Sequence, residues 1–220
     1  FGKNVFKGCA NLRSVTFPRT FSNASGPASG SIDVSEFRGC KNLKYVTAAN
    51  PSLKITGGAV DTSYTFDSFK EDVPAEFYLE SVDNSQFHTC ATNNYMAFSY
   101  LNSDGTKQNL YELTVQETSG KKAVYRVNSS NQLVYCEFDS GLETVTMPDT
   151  VGPYQITVIG SGIFRNNCYL RRITIPSSIT TIEDSAFKGC HNLKDVIFKE
   201  PVNITLSLIH ISEPTRLRCI

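Results

Sequence analysis

Basic residues recur at one place in a repeated pattern, and they are the side chains of this protein best suited to bind an acidic ligand. The pattern is Leu-x-x-φ-x-φ, in which φ is apolar, and it occurs five times. The position directly after its leucine holds Arg13, Lys44, Glu143, Arg171 and Lys194. Because four of these five residues are basic, we expect a cationic column if the copies stack on one another.

A column of hydroxyl groups is expected beside the cations, since the next exposed position of the pattern reads Thr16, Thr47, Thr146, Thr174 and Ile197. On the exposed, concave face of a stacked sheet, the two columns could recognise an acidic protein or a glycan. The simpler interpretation is that they are solvated strand residues that favour solubility and β-structure. The candidate partner-binding residues are Arg13, Thr16, Lys44, Thr47, Arg171, Arg172, Thr174 and Lys194.

Three of the seven cysteines, Cys9, Cys40 and Cys190, occupy one position of the repeat. A position repeated in this way is expected to point into the core between stacked copies, so we expect buried free thiols rather than disulfides or metal ligands. Cys9 and Cys40 are the pair to watch, because adjacent coils stack about 4.8 Å apart, although parallel side chains disfavour good disulfide torsions. Cys168 sits one position late, with Asn167 in its place, which predicts a local irregularity.

No motif for catalysis, for a cofactor or for a metal ion is present in a convincing setting. His191 follows Cys190 but has no further ligands at metal-binding spacing, so we expect it at the surface. His88 and Cys90 fall on a predicted short helix, where ordinary packing is the favoured interpretation. We therefore predict that the protein is not an enzyme and has no catalytic, cofactor-binding or metal-binding residues.

The spacing of the pattern predicts the fold. Phe164 and Phe187 are 23 residues apart, a period in the range of leucine-rich repeats. Each motif ends in the alternation of a short strand with one buried face, while Ile179 and Ile182 turn a second apolar edge inward on the opposite wall. The predicted fold is a β-rich leucine-rich repeat solenoid, with a parallel sheet of short strands and an irregular opposite wall.

The period is lost in the middle of the chain, where an α+β segment and a β-hairpin cap interrupt the solenoid. The predicted segments are residues 1–50 (leucine-rich repeats), 51–109 (irregular interruption with a short helix near 84–94 and a closing strand), 110–138 (β-hairpin cap), 139–203 (leucine-rich repeats) and 204–220 (non-repeat tail). Phe1 aligns with the middle of a repeat, so the first segment is expected to be truncated at its N-terminus.

Composition narrows the classes of partner. At 220 residues and 40% hydrophobic content, the chain can bury a substantial core. Lys plus Arg (21) equals Asp plus Glu (21), so no overall field favours nucleic acid. Because no run of about 18 apolar residues is present, we also expect no membrane insertion in this fragment.

The assembled framework Ala-Phe-x-x-Cys-x-x-Leu-x-x-φ-x-φ-Pro-x-x-φ-x-x-Ile is clearest over residues 173–190. It resembles the BspA-type leucine-rich repeats of bacterial surface and secreted proteins. Because such proteins are exported and implicated in adhesion, the resemblance implies an extracellular or cell-surface binding module with a protein or glycan partner. A structural spacer or scaffold in a larger surface protein or secreted enzyme is the alternative. Residues 206–216 resemble a translated sequencing adapter, so the tail is expected to be artefactual.

Overall fold

The structure, a computed structural model, describes residues 4–21, 30–59 and 61–200, together with the backbone of 205–206 and 216–219. The chain divides into two compact units, Phe1–Asn109 (unit 1) and Leu110–Ile220 (unit 2). Short strands predominate in the described parts of both units, and the two α-helices found there lie in unit 1. The predicted β-rich architecture of short strands is confirmed.

Unit 1 builds a parallel sheet from strands that are separated by loops and short helices. Its strands are β1 (Ser14–Phe17), β2 (Ser31–Asp33), β3 (Tyr45–Ala48), β4 (Lys54–Thr56), β5 (Tyr78–Val82) and β6 (Ala97–Leu101). A 3-10 helix covers Val34–Phe37, and the α-helices are α1 (Phe66–Asp72) and α2 (Gln86–Asn93). Strands β1, β3, β5 and β6 pair in that order and all in parallel, while β2 pairs with β4.

The parallel sheet of unit 1 continues through the segment in which the sequence period is lost. Val46 of β3 lies opposite Leu79 of β5, which in turn lies opposite Phe98 of β6, and these three side chains are at most 1% exposed. Burying such side chains stabilises a fold by about 1.5–3 kcal/mol each. The strand stacking of residues 1–50 therefore extends to β6.

In the coil that contains α1, the core phenylalanine comes from the helix, whereas in the coils of residues 1–50 it comes from the repeat motif. The rings of Phe6 and Phe37 stack at 5.5 Å, and the ring of Phe69 in α1 lies 6.2 Å from that of Phe37. Thr65 caps the helix, since its side chain accepts a hydrogen bond from the backbone N–H of Ser68. An irregular sequence thus preserves the row of buried phenylalanines.

The strands that follow in the chain are β7 (Lys107–Gln116), β8 (Lys122–Asn128), β9 (Gln132–Phe138), β10 (Thr144–Thr146), β11 (Thr150–Val151), β12 (Tyr154–Gln155), β13 (Val158–Ile159), β14 (Arg172–Ile175), β15 (Thr181–Ile182), β16 (Asp195–Phe198), β17 (Thr205–Leu206) and β18 (Arg216–Cys219). Strand β8 pairs antiparallel with both β7 and β9, which forms the hairpins expected over residues 110–138. Strands β11 and β12 form a further antiparallel pair.

Two parallel sheets in unit 2 are built from the repeats. The first has the order β9, β13, β15, β17, and the second has the order β10, β14, β16, β18. Phe164 and Phe187 stack at 4.9 Å, and Ile179 and Ile182 are buried as predicted. The regular stacking of successive coils is compatible with the predicted solenoid.

The predicted tail contributes backbone to both of these sheets. Thr205 lies opposite Thr181, and Arg216 lies opposite Asp195, each in a parallel pairing. Residues 207–215, which include most of the adapter-like stretch, lie outside the described residues.

None of the described helices is long and apolar enough to cross a membrane.

Candidate functional site

The predicted basic column stacks from coil to coil within each unit. The backbone N–H of Lys44 donates to the carbonyl oxygen of Arg13 at 2.8 Å, and that of Arg171 donates to Glu143 at 2.7 Å. Lys194 in turn donates to Arg171 at 2.8 Å. All five side chains are exposed, and each of these residues directly precedes a strand.

In unit 1 the cations of this column line a polar cleft. The cleft has a volume of about 330 Å³, and its lining residues are Asn11, Arg13, Asn42 and Lys44. The amide nitrogen of Asn42 donates to the carbonyl oxygen of Ala10 at 2.7 Å, which fixes that side chain across two successive turns. Neither cation forms an ion pair with any of the described residues. We call these four residues the Arg13 cleft.

In unit 2 two exposed arginines are paired with carboxylates of neighbouring coils. The Nε of Arg171 lies 3.4 Å from the Oε2 of Glu143, which occupies the same motif position one coil earlier. Arg172 lies opposite Asp195 in the sheet, and its Nη2 donates to the Oδ2 of that residue at 3.0 Å. Two of the three exposed cations here are therefore neutralised, while Lys194 has no ion pair among the described residues.

The predicted hydroxyl column is only partly exposed. Thr16 is exposed and Thr174 is half-buried. The prediction that Thr47 is exposed is wrong, because only 7% of its surface is accessible and its hydroxyl donates to the Oε1 of Glu80 at 2.8 Å. A charged side chain of the next coil covers it, and that coil belongs to the segment in which the sequence shows no period.

Glu80 is the centre of a polar cluster that sequence reasoning missed. Its carboxylate is buried, with 2% of the residue exposed, and it also accepts a hydrogen bond from the hydroxyl of Ser99 at 3.3 Å. The Nζ of Lys107 lies 3.0 Å from its Oε2 and 4.8 Å from the centre of the Tyr45 ring. A buried carboxylate is stable only with such partners, so the cluster is satisfied internally. The feature of the sequence that could have indicated this cluster is a glutamate among the apolar residues of a strand.

The repeated cysteines bond to the coil before them. The thiols of Cys40 and Cys190 are buried and donate to the carbonyl oxygens of Phe6 and Phe164, at 3.0 Å and 2.9 Å. Burial raises the pKa of Cys190 to about 11. The prediction that Cys9 is buried is wrong, because its side chain is exposed. Among the described residues, no earlier coil lies beside Cys9 to accept a hydrogen bond from its thiol.

The irregularity predicted at Asn167 and Cys168 has a local cause. The side-chain oxygen of Asn167 accepts hydrogen bonds from the backbone N–H groups of Tyr169 and Leu170, at 3.1 Å and 3.0 Å. Such a turn uses the asparagine side chain where the other coils use a cysteine. Cys168 is therefore turned outward and is exposed.

The histidines occupy the environments that the sequence indicates. His191 is exposed. His88 is packed in α2, with its ring stacked 4.6 Å from that of Phe98. Its Nδ1 lies 3.1 Å from Asp83 and its Nε2 lies 3.3 Å from the hydroxyl of Tyr100. Within the described residues, no group of three or more His, Cys, Asp and Glu side chains could hold a metal ion.

Two solved structures are similar to parts of the chain. One is a leucine-rich cell surface protein from Faecalibacterium prausnitzii A2-165, at 24% identity and a TM-score of 0.32, over 43% of this chain and 26% of that protein. The other is a leucine-rich repeat protein from Bacteroides capillosus ATCC 29799, at 18% identity and a TM-score of 0.32, over 49% of this chain and 98% of that protein. No curated protein matches the chain.

A family model gives a match over most of the sequence. It describes a BspA-type leucine-rich repeat region, and six copies match residues 1–130 and 135–209. The matched ranges include residues 51–109, where the parallel strands continue although the simple period is lost. The chain belongs to the BspA-type leucine-rich repeat family.

Proposed function

We propose that this chain is a non-catalytic binding module of an exported bacterial surface protein, and that it binds a protein or glycan through the exposed face of its sheets. The observation that carries the proposal is the Arg13 cleft, in which two exposed cations of adjacent coils have no carboxylate partner among the described residues. The oxygen atoms of one acidic group of a partner could accept hydrogen bonds from both cations at once. An extracellular or cell-surface location is part of the proposal.

The candidate residues differ in how readily they could contact a partner. Arg13, Lys44 and Thr16 are exposed and form the first group. Arg171, Arg172, Thr174 and Lys194 form the second, in which two cations already have carboxylate partners. Thr47 is removed from the set of direct contacts, because its hydroxyl is bonded to the buried Glu80. We propose neither binding to nucleic acid nor insertion into a membrane for this chain.

A structural spacer is the second candidate, and the ion pairs of unit 2 favour it. Arg171 with Glu143, and Arg172 with Asp195, connect successive coils and leave little charge for a partner. Exposed pairs of this kind contribute about 0–1 kcal/mol each to stability, so their main effect is to neutralise the surface. In this alternative, the chain would separate other domains of a larger protein without binding anything itself.

The two candidates are separated by a binding screen with the full chain against immobilised acidic and neutral glycans and extracellular proteins. The variant Arg13→Ser/Lys44→Ser tests unit 1, and Arg171→Ser/Arg172→Ser/Lys194→Ser tests unit 2. We expect at least one ligand whose binding is lost in the first variant. Binding that survives in both variants would overturn the role of the basic column, and a screen without any ligand would favour the spacer.

A further inference from the structure

We propose that the Arg13 cleft binds the acid group of an acidic saccharide, either a carboxylate or a sulfate ester. This inference rests on the proposed function, because it names the ligand class for the same face of the sheet. Three features of the cleft support it: the placement of its charges, its hydrogen-bond donors and a lining without apolar or aromatic residues.

The stacking of the coils does not require two cations at the positions of Arg13 and Lys44. Arg13 and Lys44 are adjacent along the column, since the backbone of Lys44 donates to the carbonyl of Arg13 at 2.8 Å. Both residues directly precede their strands, and like charges that lie side by side repel each other. The same two framework positions in unit 2 hold Glu143 and Arg171, which attract each other across 3.4 Å. The repeat therefore accommodates a complementary pair, and the cleft of unit 1 has two cations instead.

The donors of the cleft match an oxyanion. Arg13 offers a planar guanidinium fork, and Lys44 offers three N–H groups. Asn11 and Asn42 add amide N–H groups, and Asn42 is held in place by its bond to Ala10. A carboxylate or a sulfate accepts several such bonds, and bonds to charged donors are about twice as strong as neutral ones.

The lining favours a saccharide over a protein. None of the four lining residues is apolar or aromatic. Protein partners are usually held by buried aromatic or aliphatic side chains at the centre of the interface, which this lining does not provide. The volume of about 330 Å³ is at the small end of the range for ligand clefts. A single acidic sugar residue with its hydroxyl groups suits a small cleft whose lining residues are all polar or charged.

The test is calorimetric titration of the full chain at low and physiological salt with four named probes. They are a heparin hexasaccharide (sulfate), a hexamer of galacturonic acid (carboxylate), maltohexaose (neutral sugar) and poly-L-glutamate (acidic polypeptide). We expect one or both acidic oligosaccharides to bind and maltohexaose not to bind. Because heparin carries both sulfates and carboxylates, binding of the galacturonic acid hexamer shows that a carboxylate is sufficient, whereas binding of the heparin hexasaccharide alone shows that sulfate groups are required.

Three variants show whether binding occurs at the cleft. Arg13→Gln/Lys44→Gln should weaken binding by about 10-fold or more, because two charged donors are lost. Asn11→Ala should weaken it by about 2- to 10-fold without any change in charge. The matched control is Arg19→Gln/Lys54→Gln, which removes the same charge from exposed residues of unit 1 outside the cleft lining. We expect the control to change affinity by less than about 3-fold.

Four results would overturn the inference. They are no binding of either acidic oligosaccharide, equal losses in the cleft variant and its charge-matched control, unchanged affinity in Arg13→Gln/Lys44→Gln, and a tighter, cleft-dependent binding of poly-L-glutamate. The last result would assign an acidic protein partner to the cleft. In each case the binding screen can still identify a ligand, so the failure of the inference is distinct from the failure of the proposed function.

Discussion

The guanidinium of Arg171 lies 3.4 Å from the carboxylate of Glu143, and both residues directly follow the leucine of a repeat. The framework positions that hold this pair in unit 2 hold Arg13 and Lys44 in unit 1. One repeat geometry therefore carries an attractive pair in Glu143 and Arg171 and a like-charged pair in Arg13 and Lys44. The difference leads to a direct prediction about stability.

Lys44→Glu should stabilise the protein, because the new carboxylate would face Arg13 as Glu143 faces Arg171. Exposed ion pairs are weak, so we expect the Tm to rise by about 1–3 °C at low ionic strength. The gain should disappear in about 1 M NaCl, where charges are screened within about 3 Å. Differential scanning calorimetry provides the measurement. Lys41→Glu, in the exposed turn before Leu43, is the control, and an equal rise in that variant would contradict the explanation.

Phe187→Ala should create a cavity in the phenylalanine row of unit 2. Phe187 is 1% exposed and stacks on Phe164 at 4.9 Å, so its loss should reduce the free energy of unfolding by about 3–5 kcal/mol. Urea denaturation followed by circular dichroism measures the change. Tyr169→Ala, at a ring that is 49% exposed, should cost less than about 0.5 kcal/mol. Similar losses in the two variants would show that the row is not a packed core.

Glu80→Ala should destabilise unit 1 although it removes a charged residue. The hydroxyls of Thr47 and Ser99 would lose their acceptor in a buried site, which costs about 1–3 kcal/mol. Urea denaturation again provides the measurement. Glu76→Ala, which removes an exposed carboxylate from the turn before β5, is the matched control. The cluster has no structural role if the Glu80 variant is as stable as the control.

Thiol alkylation should separate the cysteines according to their place in the coils. Cys9 and Cys168 are exposed and should react with iodoacetamide in the native protein. Cys40, Cys90 and Cys190 are buried and should react only after unfolding. Peptide mass spectrometry after brief labelling at pH 8 gives the result for each residue. Rapid native labelling of Cys190 would contradict its position beneath Phe164.

Stability should fall as the pH rises above 9, and buried thiols should contribute to the decline. Burial raises the pKa of Cys90 to about 12 and that of Cys190 to about 11, from an ordinary value of 9.0. Unfolded thiols therefore lose their protons near pH 9 while folded ones keep them, so the stabilisation is complete below pH 9 and is lost toward pH 11–12.

Urea midpoints measured from pH 8 to pH 10.5 test this dependence. The variant Cys90→Ala/Cys190→Ala should show a shallower decline than the natural sequence, because two of the responsible groups are absent. Part of the decline should persist, since burial also raises the pKa of Tyr125 and of Cys136. An identical slope in the two proteins would exclude the two thiols as its source.

The repeats could be predicted from the sequence because each motif lies within one short stretch of the chain. The leucine, the two strand positions and the phenylalanine recur at a fixed spacing, and they face the core in the repeats of residues 164–198 for the same reason in each coil. In the middle of the chain the fold is preserved by different means. Phe69 takes its place in the phenylalanine row from a helix, and no spacing in the sequence marks it as the equivalent of Phe37.

The sequence by itself determined the family, the β-rich class, the buried Cys40 and Cys190, and the exposed basic column. Only the tertiary structure decided which of those cations are paired, because an ion pair depends on the residue that the next coil brings alongside. The side chain of Arg171 forms an ion pair with Glu143, and the hydroxyl of Thr47 donates to Glu80. Arg13 and Lys44 instead line the same open cleft. The sequence of a single repeat gives the sign of each charge. Its interactions depend on the residue that the neighbouring repeat places beside it.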